Sequence, residues 1–170
     1  MRVKIVVDST ADLQPWAAER VGIVPLTVNF GEKEYVSGVD MDAKRFYELL
    51  VESDVLPTTS QPTPYAFERV YAQALEEAEK VVCITCSGKL SGTYQSAVAA
   101  ADLCETAKNI QVLNTRTLCG PHRYLVELAV KLAQEGATME ELLETLNEKM
   151  DSAKSYLIPD DFDYLRLGGR

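Results

Sequence analysis

The sequence lacks the features of nucleic-acid-binding and membrane proteins. It has 17 basic residues against 26 acidic ones, a formal net charge of −9. Contacts to phosphate groups need clustered Lys and Arg, so this balance argues against a nucleic-acid partner and against docking on an anionic membrane. No apolar run approaches the ~20 residues of a spanning helix, and the amino terminus is too strand-like for a signal peptide. We therefore expect a cytoplasmic protein with no membrane insertion.

Motifs for catalysis and for metal binding are also missing. G-x-S-x-G and H-E-x-x-H do not occur, and His122 is the single histidine. A lone histidine is more often a packed side chain than a ligand, so its role is left open. Cys83 and Cys86 have C-x-x-C spacing, but they fall in an apolar run where residues three apart point to opposite faces of a strand. We expect core cysteines, no metal, no cofactor and no enzymatic activity.

Short apolar segments alternate with longer amphipathic ones, which is typical of βαβ units around a parallel sheet. The pattern predicts an α/β fold in a single domain over residues 1–170, with a mostly parallel sheet flanked by helices on both faces. A small hairpin is predicted to turn at Gly31. The predicted strands cover residues 3–7, 23–28, 81–86, 110–113 and 156–159. The predicted helices cover 12–19, 42–53, 65–79, 94–104, 124–134 and 138–150, the last opened by a capping box at Thr138.

Polar segments follow several of these strands. Ligands of open parallel sheets bind beyond the carboxyl ends of the strands, and four segments can reach that edge. They are rich in hydroxyl groups and poor in ionisable side chains, and they cover residues 8–10, 58–61, 87–93 and 114–117. This composition favours a binding site over a catalytic one.

The segment 87–93 joins a strand to a helix and offers hydroxyl and backbone N–H groups where the helix dipole favours negative charge. It is not a P-loop, because Cys83 and Leu90 stand where that motif needs a glycine and a hydroxyl. Ser91 and Thr93 can instead be simple caps of the helix. Thr59 and Ser60 lie in a proline-framed extended segment and can either face the same anion or form a plain polar turn.

Four motifs, read in order, resemble the DegV family. The D-S-T-A-D loop begins at Asp8, the T-S-Q-P segment at Thr59, and the stretch Lys89-Leu90-Ser91-Gly92-Thr93-Tyr94-Gln95-Ser96-Ala97 follows. The fourth motif, Y-L-x-x-G-G-R, corresponds to Tyr164-Leu165-Arg166-Leu167-Gly168-Gly169-Arg170. Asn114-Thr115 departs from the family's usual D-S, and the start of the next helix is less rich in glycine.

The resemblance implies a carrier of a long-chain fatty acid. By motif, Thr59 and Ser91 hold the carboxylate, with Ser60, Gly92 and Thr93 as neighbours. Some members of the family present the acid to a fatty-acid kinase, and Arg170 is the candidate docking residue. The family continues into a second domain that is absent here, so we expect weak lipid retention by residues 1–170 alone, and self-association through the uncovered face. The alternative is an enzyme or nucleotide-binding domain that uses Asp8 and the Ser91 loop for phosphate chemistry.

Overall fold

The structure, a computed structural model, describes residues 2–158, 162, 165 and 166. Strands and helices alternate along these residues. The strands are β1 (Val3–Asp8), β2 (Gly22–Val24), β3 (Thr27–Phe30), β4 (Lys33–Val36), β5 (Thr58–Ser60), β6 (Lys80–Thr85) and β7 (Ile110–Asn114). The helices are α1 (Pro15–Ala18), α2 (Ala43–Glu52), α3 (Pro64–Glu77), α4 (Thr93–Leu103), α5 (Cys119–Gln134) and α6 (Met139–Met150).

Four strands form a parallel sheet in the order β2-β1-β6-β7. β1 and β6 lie in the middle, and nearly all of their residues are buried. Such continuous apolar runs are expected of central parallel strands, because helices cover both faces of the sheet. The predicted α/β architecture is therefore confirmed.

Successive side chains of the central strands pack against different helices. Ile5 and Val82 face a cluster formed with α5 and α6, which includes Leu125 and Leu142. Val6 and Cys83 face the other cluster, formed with α3 and α4, whose members include Phe67, Tyr71, Ala97 and Ala100. Because the side chains of a strand alternate in direction, this arrangement gives the sheet one hydrophobic layer on each face.

A second, antiparallel sheet has the order β4-β3-β5. β3 and β4 form the predicted hairpin, and Gly31 takes a positive φ of 62° at its turn. The prediction of one strand over residues 23–28 is wrong, because the chain leaves the parallel sheet at Pro25 and enters the antiparallel sheet at Thr27. Leu26 makes the crossing, and its N–H donates to Ser9 Oγ at 3.0 Å instead of to a strand.

Three other predicted elements differ from the structure by more than two residues. The first predicted helix is shorter, because Asp12 has a left-handed φ of 48° and α1 begins only at Pro15. α5 begins at Cys119, five residues before the prediction, and so contains His122. The last predicted strand is wrong for residues 156–158, which are exposed and form no strand, while Pro159 lies outside the described residues.

The capping box is confirmed: Thr138 Oγ1 accepts from the Glu141 N–H, and the Glu141 carboxylate accepts from the Thr138 N–H.

Among the described residues, no helix combines the length and the apolar character needed to cross a membrane. Nor does the described part of the chain group three or more His, Cys, Asp or Glu side chains in a way that could hold a metal ion.

Candidate functional site

The carboxyl ends of three parallel strands bring polar residues of distant segments together. Asp8 ends β1, Cys86 and Ser87 follow β6, and Thr115 follows β7. The ladders continue beyond the strands, since Thr115 N–H donates to Thr85 O at 3.1 Å and Ser87 N–H donates to Thr117 O at 2.8 Å. The edge predicted to bind a ligand is thus a connected, hydrogen-bonded surface.

Asp8 is fully buried at this edge. Its Oδ1 accepts from the Thr10 N–H at 3.0 Å and from the Thr10 hydroxyl at 2.5 Å, and its Oδ2 accepts from the Cys86 N–H at 2.7 Å. Burial pushes the pKa of this carboxyl upward, but His122 and the donors at Thr10 and Cys86 outweigh burial and leave the pKa below its ordinary value. The ionised Asp8 carboxylate therefore connects the loop after β1, at Thr10, with the loop after β6, at Cys86.

His122 lies beside Asp8. It is fully buried, with Nε2 3.7 Å from Asp8 Oδ2 and Nδ1 3.4 Å from Thr115 Oγ1. The first distance is beyond an ordinary hydrogen bond, and Nε2 has no hydrogen-bond partner among the described residues. The sequence left the role of His122 open, and nothing in it indicated that His122 faces Asp8.

Cys83 and Cys86 are both buried free thiols, as predicted. Burial is the main cause that raises the pKa of each thiol to about 12, so neither has the depressed pKa of a redox pair. Cys86 also links Asp8 to the next loop, because its N–H donates to Asp8 Oδ2. The nearby carboxylate raises the pKa of the Cys86 thiol further, while Thr10 and Thr93 oppose the rise.

The turn from Ser87 to Gly92 leads into α4, and we refer to it as the Ser91 turn. Ser87 O accepts from the N–H groups of Leu90 and Ser91 at 3.0 and 3.1 Å, and Asn114 Oδ1 accepts from the Gly88 N–H at 3.2 Å. The turn is therefore held both by its own backbone and by the residue that ends β7.

The hydroxyls of Ser91 and Thr93 lie 2.8 Å apart, and Ser91 Oγ also accepts from the Thr93 N–H at 3.3 Å. Thr93 is fully buried, whereas Ser91 is partly exposed. Gly92 occupies the N-cap position of α4 and brings no side-chain cap. Ser91 thus assists the helix start, as the capping interpretation predicts, and it is also open to an incoming group.

Thr59 and Ser60 lie on β5, in the extended conformation that the flanking prolines predict. Thr59 pairs with Val28 and Ser60 with Thr27. Both side chains are exposed, and Ser60 Oγ accepts from Asn29 Nδ2 at 3.0 Å. The Thr59 hydroxyl is therefore accessible to a ligand.

Gln61 joins the two segments that the sequence singled out. Its Nε2 donates to Ser96 Oγ on α4 at 3.0 Å, and a Cβ added to Gly92 would lie only 1.9 Å from its Oε1. The Gln61 amide therefore lies against the backbone of Gly92. Gly92 directly follows Ser91 in the sequence, and Gln61 is two positions after Thr59. Sequence reasoning counted Gln61 among the polar residues but did not identify this contact.

A cavity of about 610 Å³ opens beside the end of β1. Ligand pockets commonly have volumes of about 300–1,000 Å³. Most of its walls are apolar, with Asp8 and Ser9 at the sheet edge, and they include Val7, Ile23, Val28, Met41, Phe46 and Tyr47. Thr59 and Ser91 lie outside this lining, but Thr59 shares a sheet face with its cross-strand partner Val28. Arg170, the predicted docking residue, lies outside the described residues.

A sequence model described as an uncharacterised protein of the DegV family matches residues 2–170. A curated relative from Thermotoga maritima, named a fatty acid-binding protein, is 37% identical over 177 residues, which cover 100% of this chain and 61% of the relative. The chain spans about 60% of the length of the curated relatives it matches.

Two solved structures are similar to this one. A DegV family protein from Thermus thermophilus, described as binding fatty acid, is 37% identical with a TM-score of 0.80, covering 89% of this chain and 54% of that chain. The Fatty Acid Kinase (Fak) B3 protein of Streptococcus pneumoniae, loaded with linoleic acid, is 25% identical with a TM-score of 0.75, covering 89% and 55%.

Proposed function

The chain belongs to the DegV family, and from this membership and the geometry of the strand ends we propose that it binds a long-chain fatty acid by its carboxylate. Thr59 and Ser91 contact the head group, and Ser60, Gly92 and Thr93 surround it. The supporting observation is the contact of Gln61 with Gly92 and Ser96, which brings the two hydroxyl-bearing segments to the same helix end. The fatty acids bound by the relatives give the ligand class.

The chemistry of the site suits a carboxylate that must stay accessible. Hydroxyls and N–H groups at the start of α4 can hold the head group ionised or neutral, without a buried counter-charge. Each buried methylene of the tail contributes about 0.8 kcal/mol, so the tail supplies most of the affinity and the hydroxyls orient the head. The cavity of about 610 Å³, whose walls are mostly apolar, lies beside this edge.

The proposed carrier does no chemistry itself but presents the bound acid to a fatty-acid kinase in the cytoplasm. The similar Streptococcus protein is named the Fatty Acid Kinase (Fak) B3 protein, which supports a kinase as the partner. Arg170 is our candidate for the docking residue. Asp8 supports this view over the phosphate-chemistry alternative. It is fully buried and both of its oxygens already accept hydrogen bonds, so it is poorly placed to attack a substrate or bind a metal.

Because the chain spans about 60% of the length of its relatives, we propose that a second domain completes the binding site. Residues 1–170 alone would then retain lipid weakly and self-associate through exposed apolar side chains. Tyr47, Val51, Val55 and Leu56 are such side chains, at and beyond α2.

The experiment uses the complete protein encoded by the reading frame that contains this chain. Mass spectrometry of the denatured protein should detect a bound fatty acid. After delipidation, calorimetric titration with palmitate should show weaker binding by Thr59→Ala and Ser91→Ala, by about tenfold or more for a lost hydrogen bond to a charged group.

The matched control is Thr106→Ala, because this exposed threonine makes no side-chain cap at its own turn. The control should bind palmitate like the wild type. A protein free of lipid whose palmitate affinity is the same in all four forms would exclude the proposal.

A further inference from the structure

The buried pair of Asp8 and His122 has no part in the proposed head-group contacts, yet among the described residues it is the only contact of an acidic with a basic side chain in which both side chains are fully buried. Buried charges are retained only where they are paired and hydrogen-bonded. Here the carboxylate accepts three hydrogen bonds, two of them from Thr10 and one from the backbone of Cys86. The position of the Cys86 donor suggests what the pair does.

Cys86 stands at the point where the chain leaves β6 and enters the Ser91 turn. β6 ends at Thr85, and its ladder with β1 reaches only Ile84 opposite Val7. The Asp8 carboxylate therefore takes the first amide beyond the strand and fixes the direction in which the turn departs. Ser87, the next residue, is held on its other side by Thr117 O.

A short chain of contacts connects Asp8 to the proposed head-group hydroxyls. Cys86, whose N–H donates to Asp8 Oδ2, is followed directly by Ser87. Ser87 O accepts from the Ser91 N–H at 3.1 Å, and Ser91 Oγ lies 2.8 Å from the Thr93 hydroxyl. Every link in this chain is a hydrogen bond or a peptide bond between buried or partly buried residues. A shift of the Cys86 amide would therefore move the Ser91 hydroxyl.

We propose that Asp8, supported by His122, is a positioning residue that sets the orientation of the Ser91 turn for head-group binding. The inference rests on the proposed function, since it concerns the same head-group site. Asp8 donates or accepts no hydrogen bond with the head group in this proposal and acts on the turn through Cys86 and Thr10. His122, on α5, places its Nε2 beside the Asp8 carboxylate, and the contact of its Nδ1 with Thr115 Oγ1 orients the imidazole.

Asp8→Asn tests the inference because asparagine has one acceptor oxygen where aspartate has two. The amide can accept from Thr10 or from Cys86, but its NH₂ group must then face the other donor. The experiment measures palmitate binding by the delipidated complete protein in a double-mutant cycle of Asp8→Asn and Ser91→Ala. If Asp8 acts through Ser91, the two effects are not additive.

We expect Asp8→Asn to weaken palmitate binding by about tenfold and to add little further loss in the Ser91→Ala background. The Cys86 amide proton, which donates to a carboxylate in the wild type, should change its chemical shift. Leu146→Ala is the control: Leu146 is fully buried on α6, which carries none of the proposed head-group residues. It should lower the melting temperature without weakening palmitate binding.

Wild-type affinity in Asp8→Asn, or losses that add in the double variant, would overturn the inference. If Asp8→Asn does not fold, His122→Gln replaces it in the cycle and should show a smaller loss that is likewise not additive with Ser91→Ala; additive losses would overturn the inference there too. If Ser91→Ala alone binds palmitate normally, the proposed head-group site fails, and this outcome differs from every result that rejects Asp8 alone.

Discussion

The two sheets of the molecule differ in what holds them together. The parallel sheet is enclosed by helices on both faces, and Val6, Val81, Val82 and Ile84 are fully buried. The antiparallel sheet and α2 form an outer layer, in which α2 has no buried residue and β5 is exposed along its length. The core is thus stabilised by burial, and the outer layer by strand pairing and local contacts. The proposed head-group site lies where the two meet.

The largest expected effect separates core from outer layer. Phe67→Ala should cost about 3–5 kcal/mol in free energy of unfolding, because it removes a fully buried ring from the cluster beneath α3. Tyr47→Ala, on exposed α2, should stay within about 0.5 kcal/mol. Urea unfolding measures both, and equal losses would mean that the outer layer is packed as tightly as the core.

Asp8→Asn tests the charged end of the core. Losing part of a buried hydrogen-bond set should cost about 1–3 kcal/mol at neutral pH. The pKa of Asp8 in the folded protein lies below the ordinary value of 3.8. The ionised carboxylate therefore contributes its full share of the free energy of unfolding above about pH 4, and this contribution is lost as the pH falls through the folded pKa. The stability gap between wild type and Asp8→Asn should therefore narrow from about pH 4 downward; a gap that widens in acid would contradict the assignment.

Removing one helix cap from each region compares the stability of the core with that of the outer layer. Thr138→Ala removes the capping box of α6, whose Leu142 and Leu146 are fully buried, and should cost about 1 kcal/mol of global stability. Asp42→Ala removes the cap of α2, where Asp42 Oδ1 accepts from the Arg45 N–H at 2.7 Å. We expect it to speed hydrogen exchange within α2 with little change in global unfolding. Equal global losses would place both helices in one cooperative unit.

The smallest expected effect on stability comes from Gln61, the side chain that links the two regions. Gln61→Ala should change the free energy of unfolding by no more than about 0.5 kcal/mol, as for most exposed residues. It should nevertheless weaken palmitate binding by the complete protein, because Thr59 and Ser91 lose their common support. Thr63→Ala is a control on the same segment, since the Thr63 hydroxyl caps α3 by accepting from the Ala66 N–H at 3.2 Å. Unchanged binding by Gln61→Ala would show that the contact is not needed.

The parts of the fold that could be predicted are those governed by local patterns. The apolar runs of β1 and β6, the turn at Gly31 and the capping box at Thr138 each carry their signal within a few residues. The break at Pro25–Leu26 could not be predicted, because it depends on which sheet each half joins and on the Ser9 hydroxyl that receives Leu26 N–H. The strand expected at residues 156–158 has the right composition, but no neighbouring strand among the described residues pairs with it.

The candidate site divides in the same way. The family motifs indicated Thr59 and Ser91. The rule that ligands bind at the carboxyl ends of parallel strands indicated the segment that begins with Asp8. The approach of Gln61 to Gly92 joins residues 31 positions apart in sequence, and the approach of His122 to Asp8 joins residues 114 positions apart. Such contacts depend on the tertiary fold, so no local pattern in the sequence indicates them.

The most direct test of the head-group contact observes the carboxylate itself. Palmitate labelled with ¹³C at the carboxyl carbon should give a bound NMR signal in the complete protein. That signal should shift in Thr59→Ala and in Ser91→Ala and stay in place in Thr106→Ala. A bound signal that is identical in all of these variants would mean that the carboxylate lies elsewhere, and the account of this site would be wrong.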